Sequence, residues 1–254
     1  MIKLLKGAQA KQVKKPNING VVLYNGPSVL DGKPIVVVAT FKTANGKTGN
    51  MVQTWILRED INPVEASKQG ADVSICGNCP HKQNTGGACY VNIGQAPNAV
   101  YKAYKRGSYP SYSPTDHDHL FSLRKIRLGA YGDPAAVPFD VMDNVARLGL
   151  GWTGYTHQHG HKNFDSRFFT LCMASADSPK QAVKLQLMGA KTFRVAMQGD
   201  ALDVDEVECL SDSKGIQCID CGLCDGNKKN VAITIHGARQ ARFKTSTLIN
   251  SVNI

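Results

Sequence analysis

The sequence predicts an α/β fold: a partial or closed (β/α) barrel of parallel strands, preceded by an antiparallel β extension. Three observations predict it. β-Branched runs separated by turn formers open the chain, strand and helix patterns then alternate, and the special polar residues of that second part fall after a strand and before a helix. On these grounds residues 1–68 form the N-terminal β extension and residues 69–254 a barrel-like domain carrying two cysteine clusters. With 254 residues, 42% hydrophobic and 20% charged, the chain has enough material for a core and not the composition of a disordered segment.

The extension reads as three strands, "GVVLYNG", "KPIVVVATFKT" and "MVQTWILRED". Between the last two, Asn45-Gly46 suits a hairpin turn that needs positive φ. Asn62-Pro63 opens a short helix that Gly70 ends, and "ADVSI" reads as a strand running into the first cysteines. "KIRLGAYGDP" is a strand with a Gly-rich turn, and "AVPFDVMDNVARLG" follows with helical periodicity. "LGWTGYTHQ" and "RFFTLCMASAD" are the next strands, and Ser178-Pro179 starts the helix "KQAVKLQLMG". "KTFRVAM", "VECLS" and "NVAITIHG" complete the set. Parallel α/β folds bind ligands at the carboxyl ends of their strands. Cys76, the turn Gly132-Asp133-Pro134, His157, Ser175, Asp177 and His236 are therefore expected at one mouth.

The N-terminus "MIKLLKGAQAKQVKK" lacks the apolar core of a signal peptide, and no run of about eighteen apolar residues appears. The sequence thus predicts a cytoplasmic protein with no membrane association, in a reducing compartment where clustered cysteines are metal ligands or redox thiols. The net charge of +10 has three sources: Lys3, Lys6, Lys11, Lys14 and Lys15; a group from Lys102 to Arg127; and the tail "GARQARFK". A basic surface of this size suits nucleic acid or another polyanion, and equally a merely solvated face. No GxGxxG, phosphate loop or GxSxG elbow supports a nucleotide-binding or serine-hydrolase reading.

The cysteines carry the chemistry. Cys209, Cys218, Cys221 and Cys224 supply four thiols, three of them at intervals of three residues in "CIDCGLCDG". Neighbouring CxxC pairs make only strained disulfides, whereas four thiolates satisfy tetrahedral zinc or the corners of a [4Fe–4S] cluster. The stepping is similar to the tight cluster loop of bacterial ferredoxins and favours iron–sulfur, with zinc the alternative. In "CGNCPHKQNTGGAC", Cys76, Cys79 and Cys89 leave one metal position open, to be filled by His81, Cys172, water or a substrate. Gly86 and Gly87 let that loop turn back on itself. A redox CxxC pair is the plainer alternative, and Cys172, in an apolar run, reads as a buried small hydrophobe.

"THQHGHK" places His157 and His159 in an HxH pair that can hold a divalent metal, as in nucleases with a tyrosine nucleophile; Tyr101, Tyr104, Tyr109 and Tyr112 are at hand. Gln158 stands where those enzymes place a bulky apolar residue, which favours a solvent-facing polar loop. Tyr155, just before this run, and His236, after the last strand, are further candidates.

A strand entering a three-cysteine loop, a second strand ending "GAYGDP", and a late cysteine cluster together resemble the partial (β/α) barrel of radical S-adenosylmethionine enzymes, over roughly residues 70 to 237. That resemblance implies that Cys76, Cys79 and Cys89 hold a [4Fe–4S] cluster whose open iron binds S-adenosylmethionine. It also makes Gly132, Asp133 and Pro134 the loop that contacts the cofactor's amino group, and the late cysteines an auxiliary cluster. The family spacing is CxxxCxxC and its loop carries Glu, so the CxxC with a distant Cys89, and Asp133, are departures. "ICGNCPHKQNTGGACYVNIGQAP" and "GYTHQ" also resemble a phage- and plasmid-encoded family called gene product 88, which implies a mobile-element setting in the host cytoplasm and no activity. The sequence thus predicts an iron–sulfur protein, radical-type if an enzyme or else its degenerate relative, acting on a polyanionic substrate. The alternatives are a zinc-stapled nucleic-acid-binding protein and, more weakly, an HxH nuclease.

Overall fold

Strand β1 (Gly20–Pro27) folds back antiparallel on β2 (Pro34–Thr40), and β2 pairs antiparallel with β3 (Val52–Arg58). The computed structural model describes residues 18–43, 45–236 and 239–243; the five N-terminal lysines and part of the basic tail lie outside them. β2, "PIVVVAT", is buried along nearly its whole length, as its β-branched run requires of a strand covered on both faces. The β2–β3 connection is a longer loop than the expected tight hairpin. Asn45 and Gly46 do not take positive φ; Gly49 does, at 67°.

After β3 the direction of pairing changes. Helix α1 (Pro63–Lys68) is capped by Asn62 Oδ1, which accepts from the amides of Val64 and Glu65, and Gly70 ends the turn at φ 72°. "ADVSI" is not the expected strand. Val73–Cys76 forms a single helical turn, α2, closed by Cys76 N donating to Asp72 O at 2.8 Å. Helices α3 (Ala96–Lys105) and α4 (Pro114–His117) lead to β4 (Ile126–Tyr131), which runs parallel to β3. Helix α5 (Phe139–Arg147) buries Met142, Val145 and Ala146 and exposes an Asp143–Arg147 ion pair on its other face.

The expected strand "LGWTGYTHQ" is split at Gly154 into β5 (Trp152–Thr153), parallel to β4, and β6 (Tyr155–Thr156), parallel to β7 (Met173–Ala176). A Cβ at Gly154 would strike Cys172 Sγ, so the crossing between the two sheets needs glycine. The first half of "RFFTLCMASAD" is 3-10 turn rather than strand, because Asp165 accepts from Arg167 N and winds residues 166–170. Helix α6 (Pro179–Leu187), capped by Ser178 Oγ, precedes β8 (Thr192–Ala196). Then come β9 (Glu206–Glu208), the one-turn helices α7 (Leu210–Ser213) and α8 (Cys218–Cys221), and β10 (Asn230–Thr234).

The result is an α/β protein with a mixed sheet, β1-β2-β3-β4-β5, and a parallel sheet, β6-β7-β8-β10-β9. One hydrophobic cluster runs from Val21 and Val36–Val38 through Ile126 and Leu128 to Met142 and Phe168, so the antiparallel strands and the first parallel strands share a core. In the second sheet Arg194 of β8 and Glu206 of β9 form a buried pair, with Nε to Oε1 at 2.7 Å and Nη2 to Oε2 at 2.6 Å. Among the described residues, no helix is long and apolar enough to cross a membrane.

Candidate metal centre

Seven of the eight cysteines, Cys76, Cys79, Cys89, Cys209, Cys218, Cys221 and Cys224, line a single cavity of about 1010 Å³. All eight are free thiols. The cavity lies where the loops following β4, β6, β7 and β10 meet, so Gly132, Asp133, His157, Ser175, Asp177 and His236 line it too, as do His81 and Tyr155.

The first thiol group is held by a loop that doubles back. Cys76 ends α2, and Gln158 Nε2 donates to its carbonyl at 2.8 Å. Gly86 takes φ 78°, and Gly87 packs so closely on the His81 backbone that no Cβ fits there. Cys89 N then donates to His81 O at 2.9 Å, which closes the loop. Burial, and the neighbouring thiols of Cys79 and Cys89, push the Cys76 thiol well up; burial likewise raises Cys89.

The second group rests on a loop far away in sequence. The amides of Cys218 and Ile219 donate to the carbonyls of Lys47 and Thr48 at 3.0 and 3.2 Å, and Gly49 leaves room for Gln217 and Ile219. Cys209 follows β9 and caps α7, while Gly222, at φ 64°, turns the chain from Cys221 toward Cys224. Cys224 is pushed up to about 12 by burial, with the nearby Cys209, Cys218 and Cys221 adding to the effect of burial while a hydrogen bond from Tyr155 opposes it. Arg127 lies beside Cys218, with its guanidinium 5.5 Å from the Tyr155 ring centroid and Nη2 donating to Tyr90 Oη at 3.0 Å.

The donor chemistry fits a metal centre. Burial raises the thiols of Cys76, Cys89, Cys218 and Cys224, which disfavours their thiolates, and a bound cation is what would make ionisation favourable there. The fit to a single zinc ion is poorer. Tetrahedral zinc with Zn–S bonds near 2.3 Å needs sulfurs about 3.8 Å apart. Among the described residues, only His81, His157 and Asp177 form a group of three or more ligands mutually within 4.8 Å. No three thiols among the described residues lie mutually within 4.8 Å, so neither cysteine group is arranged as it stands for a single zinc ion.

The histidine loop does not face solvent as expected. His157 lies in the cavity, with Nδ1 3.6 Å from Cys79 Sγ and Nε2 3.4 Å from Asp177 Oδ1. His159 turns away from it, its Nε2 3.1 Å from Ser175 O, so the HxH pair does not converge on one point. Tyr112 bonds Asp118, and Tyr104 bonds Glu59. Cys172 is fully buried under Gly154 and Gly226, as a small hydrophobe would be, and its thiol is pushed well up by burial.

The turn after β4 is explained by packing. A Cβ at Gly132, φ 81°, would strike Ile56, and Pro134 opens a buried 3-10 turn. Asp133 Oδ1 accepts from Ala135 N at 3.0 Å, and Oδ2 from His157 N at 2.8 Å and Gln158 Nε2 at 3.4 Å. Both oxygens of that carboxylate are therefore engaged within the protein. His236 sits at the rim, 3.3 Å from Lys47 Nζ.

Asp177 is the residue that sequence reasoning under-weighted. Burial alone would raise its pKa, but hydrogen bonds and charge from His157 and His81 outweigh it and hold the carboxyl well below the usual range. Its only sequence signal is an acid placed directly after a strand. Arg127, Tyr90 and the Lys47–Gly49 loop were not legible as site residues at all.

No protein-family model matches this chain, and neither a curated protein nor a solved structure matches it.

Proposed function

We propose that the chain is an iron–sulfur protein whose two thiol groups hold separate centres on one cavity, the first of them open to a ligand. The observation that carries this reading is the convergence of seven cysteines on one cavity while the eighth, Cys172, packs in the core. Cys76, Cys79 and Cys89 would hold the first centre and leave one metal position unclaimed; Cys209, Cys218, Cys221 and Cys224 would complete the second. When bound, a [4Fe–4S] centre supplies single electrons to a ligand at its open iron.

The protein's own groups do the rest. Arg127 sets a cation beside the negatively charged four-thiolate centre, Tyr155 donates to Cys224, and the largely apolar walls from Trp55, Phe193, Val195 and Ile233 limit water. Two parallel runs of strands whose loops meet at one cavity support the partial-barrel likeness, and with it a radical S-adenosylmethionine-type enzyme or a degenerate relative. Both Asp133 oxygens accept hydrogen bonds within the protein, so that carboxylate is not free for the cofactor's ammonium as the resemblance would have it. Lys42, Lys47 and Arg127 line the cavity and suit a polyanionic substrate such as nucleic acid.

Paired substitutions test the two-centre reading. Cys89→Ser is expected to lose the iron of the first centre and keep that of the second, and Cys221→Ser the reverse. Iron content unchanged in either variant, or zinc in its place, contradicts the proposal.

A further inference from the structure

Three side chains from three separate loops meet beside the first thiol group: His81 between Cys79 and Cys89, His157 after β6, and Asp177 after β7. Asp177 Oδ1 lies 2.7 Å from His81 Nε2 and 3.4 Å from His157 Nε2, and the three ligand atoms are all within 4.8 Å of one another. The side chains of His81, His157 and Asp177 are 12%, 20% and 16% exposed, and all three line the cavity. We propose that they bind a single first-row divalent cation, zinc or ferrous iron, through two imidazoles and a carboxylate. This inference goes beyond the iron–sulfur reading and does not rest on it.

The donor set is that of catalytic zinc and of non-haem iron, in which three protein ligands on one side of the ion leave its other positions open. The spacing fits. Bonds of roughly 2.0–2.2 Å at tetrahedral angles place ligand atoms about 3.3 Å apart. The His157–Asp177 separation of 3.4 Å already meets this, and His81 has only to withdraw by about half an ångström. The ligands are also braced. His157 N is held by Asp133 Oδ2, Asp177 N donates to Gln181 Oε1 at 2.8 Å, and the Phe243 ring stacks on His81 at 5.4 Å.

His81 Nδ1 is buried with no hydrogen-bond partner among the described residues. The other ring nitrogen, Nε2, is the one turned to Asp177 Oδ1, so it is the donor atom offered to a cation. On the open side, facing the cavity, the ion would act as a Lewis acid on a bound water or substrate oxygen.

Cobalt(II) is the probe. The whole chain, reduced and stripped of metal, is titrated without oxygen, and the wild type is compared with Asp177→Asn and with His81→Gln. The wild type is expected to take up one cobalt more than either variant, or to hold that cobalt more than about 100-fold tighter, beyond the loss typical of a supporting partner. The difference spectrum should show d–d bands and no sulfur-to-cobalt charge transfer. The double variant Cys76→Ser/Cys89→Ser, which keeps all three ligands, should retain this cobalt even if it holds no iron. Equal uptake by the wild type and both variants overturns the proposal. So does a sulfur charge-transfer band on the lost cobalt, which would make the three residues part of the thiol centre. Two ligand substitutions are used so that misfolding of one does not decide the result.

Discussion

Replacing Glu206 with Gln removes the counter-charge of a buried guanidinium while keeping its shape. The side chains of Arg194 and Glu206 are 1% and 0% exposed, and the carboxylate also accepts from Asp203 N at 3.0 Å. Burial alone would raise the Glu206 pKa, but the hydrogen bonds and charge of Arg194 outweigh it and hold the carboxyl below its usual range. In Glu206→Gln one amide oxygen can accept, but the NH2 faces a donor and the cation loses its partner. Breaking a buried pair on one side costs about 3–5 kcal/mol. At roughly 2–4 °C per kcal/mol for a chain of this size, Tm should fall by about 6–20 °C. The pair joins the two strands that flank β10, and Cys209 directly follows β9, so the second centre should also lose metal. The double variant Arg194→Met/Glu206→Leu removes the desolvation cost of both charges and should recover most of the loss. Because the folded pKa is depressed, this contribution is complete above about pH 4.3 and disappears as pH falls through the lower folded value. Thermal melts of metal-free and loaded protein measure all of this. A Glu206→Gln variant melting within about 2 °C of the wild type, or a double variant no better than the single, would refute the reasoning.

Asp133→Asn should destabilise the metal-free chain by about 1–3 kcal/mol in urea melts, since one amide oxygen cannot replace two engaged carboxylate oxygens; an unchanged midpoint would show that the turn after β4 does not depend on them. Cys172→Ala should cost about 1–2 kcal/mol through lost packing and leave iron content untouched, whereas loss of metal would make Cys172 a ligand. In the metal-free protein, burial lowers the His157 pKa, but Cys79 and Asp177 outweigh it and raise it well above 6.5. The stability from that raised group is complete below about pH 6.5 and is lost as pH rises through the folded value. Asp177, held low, contributes fully above about pH 3.9 and loses its contribution as pH falls. Asp177→Asn should flatten both limbs of the Tm-against-pH curve, and an unaltered curve would contradict the pairing.

Local chemistry made much of the fold legible. Asn62 and Ser178 before proline mark helix starts because their side chains satisfy the first free amides, and the β-branched run of β2 marks a covered strand. The errors have tertiary causes. Val73, Ser74 and Ile75 suggest a strand, yet the chain curls because Ser74 is drawn into contacts with Asp31 and Arg58 on other elements. Asn45-Gly46 looks like the turn, but the close approach of Gln217 and Ile219 places the positive φ at Gly49. The cysteines announced themselves by spacing. Asp177 had no motif and is identified only by what two distant loops bring to it.

Iron and acid-labile sulfide analysis with a visible spectrum, on protein purified without oxygen, tests the central claim most directly. The account predicts iron and sulfide in comparable amounts and a broad visible absorption that bleaches on reduction, both diminished in Cys89→Ser and again in Cys221→Ser. A colourless protein carrying zinc alone, or one whose iron survives both substitutions, would contradict it.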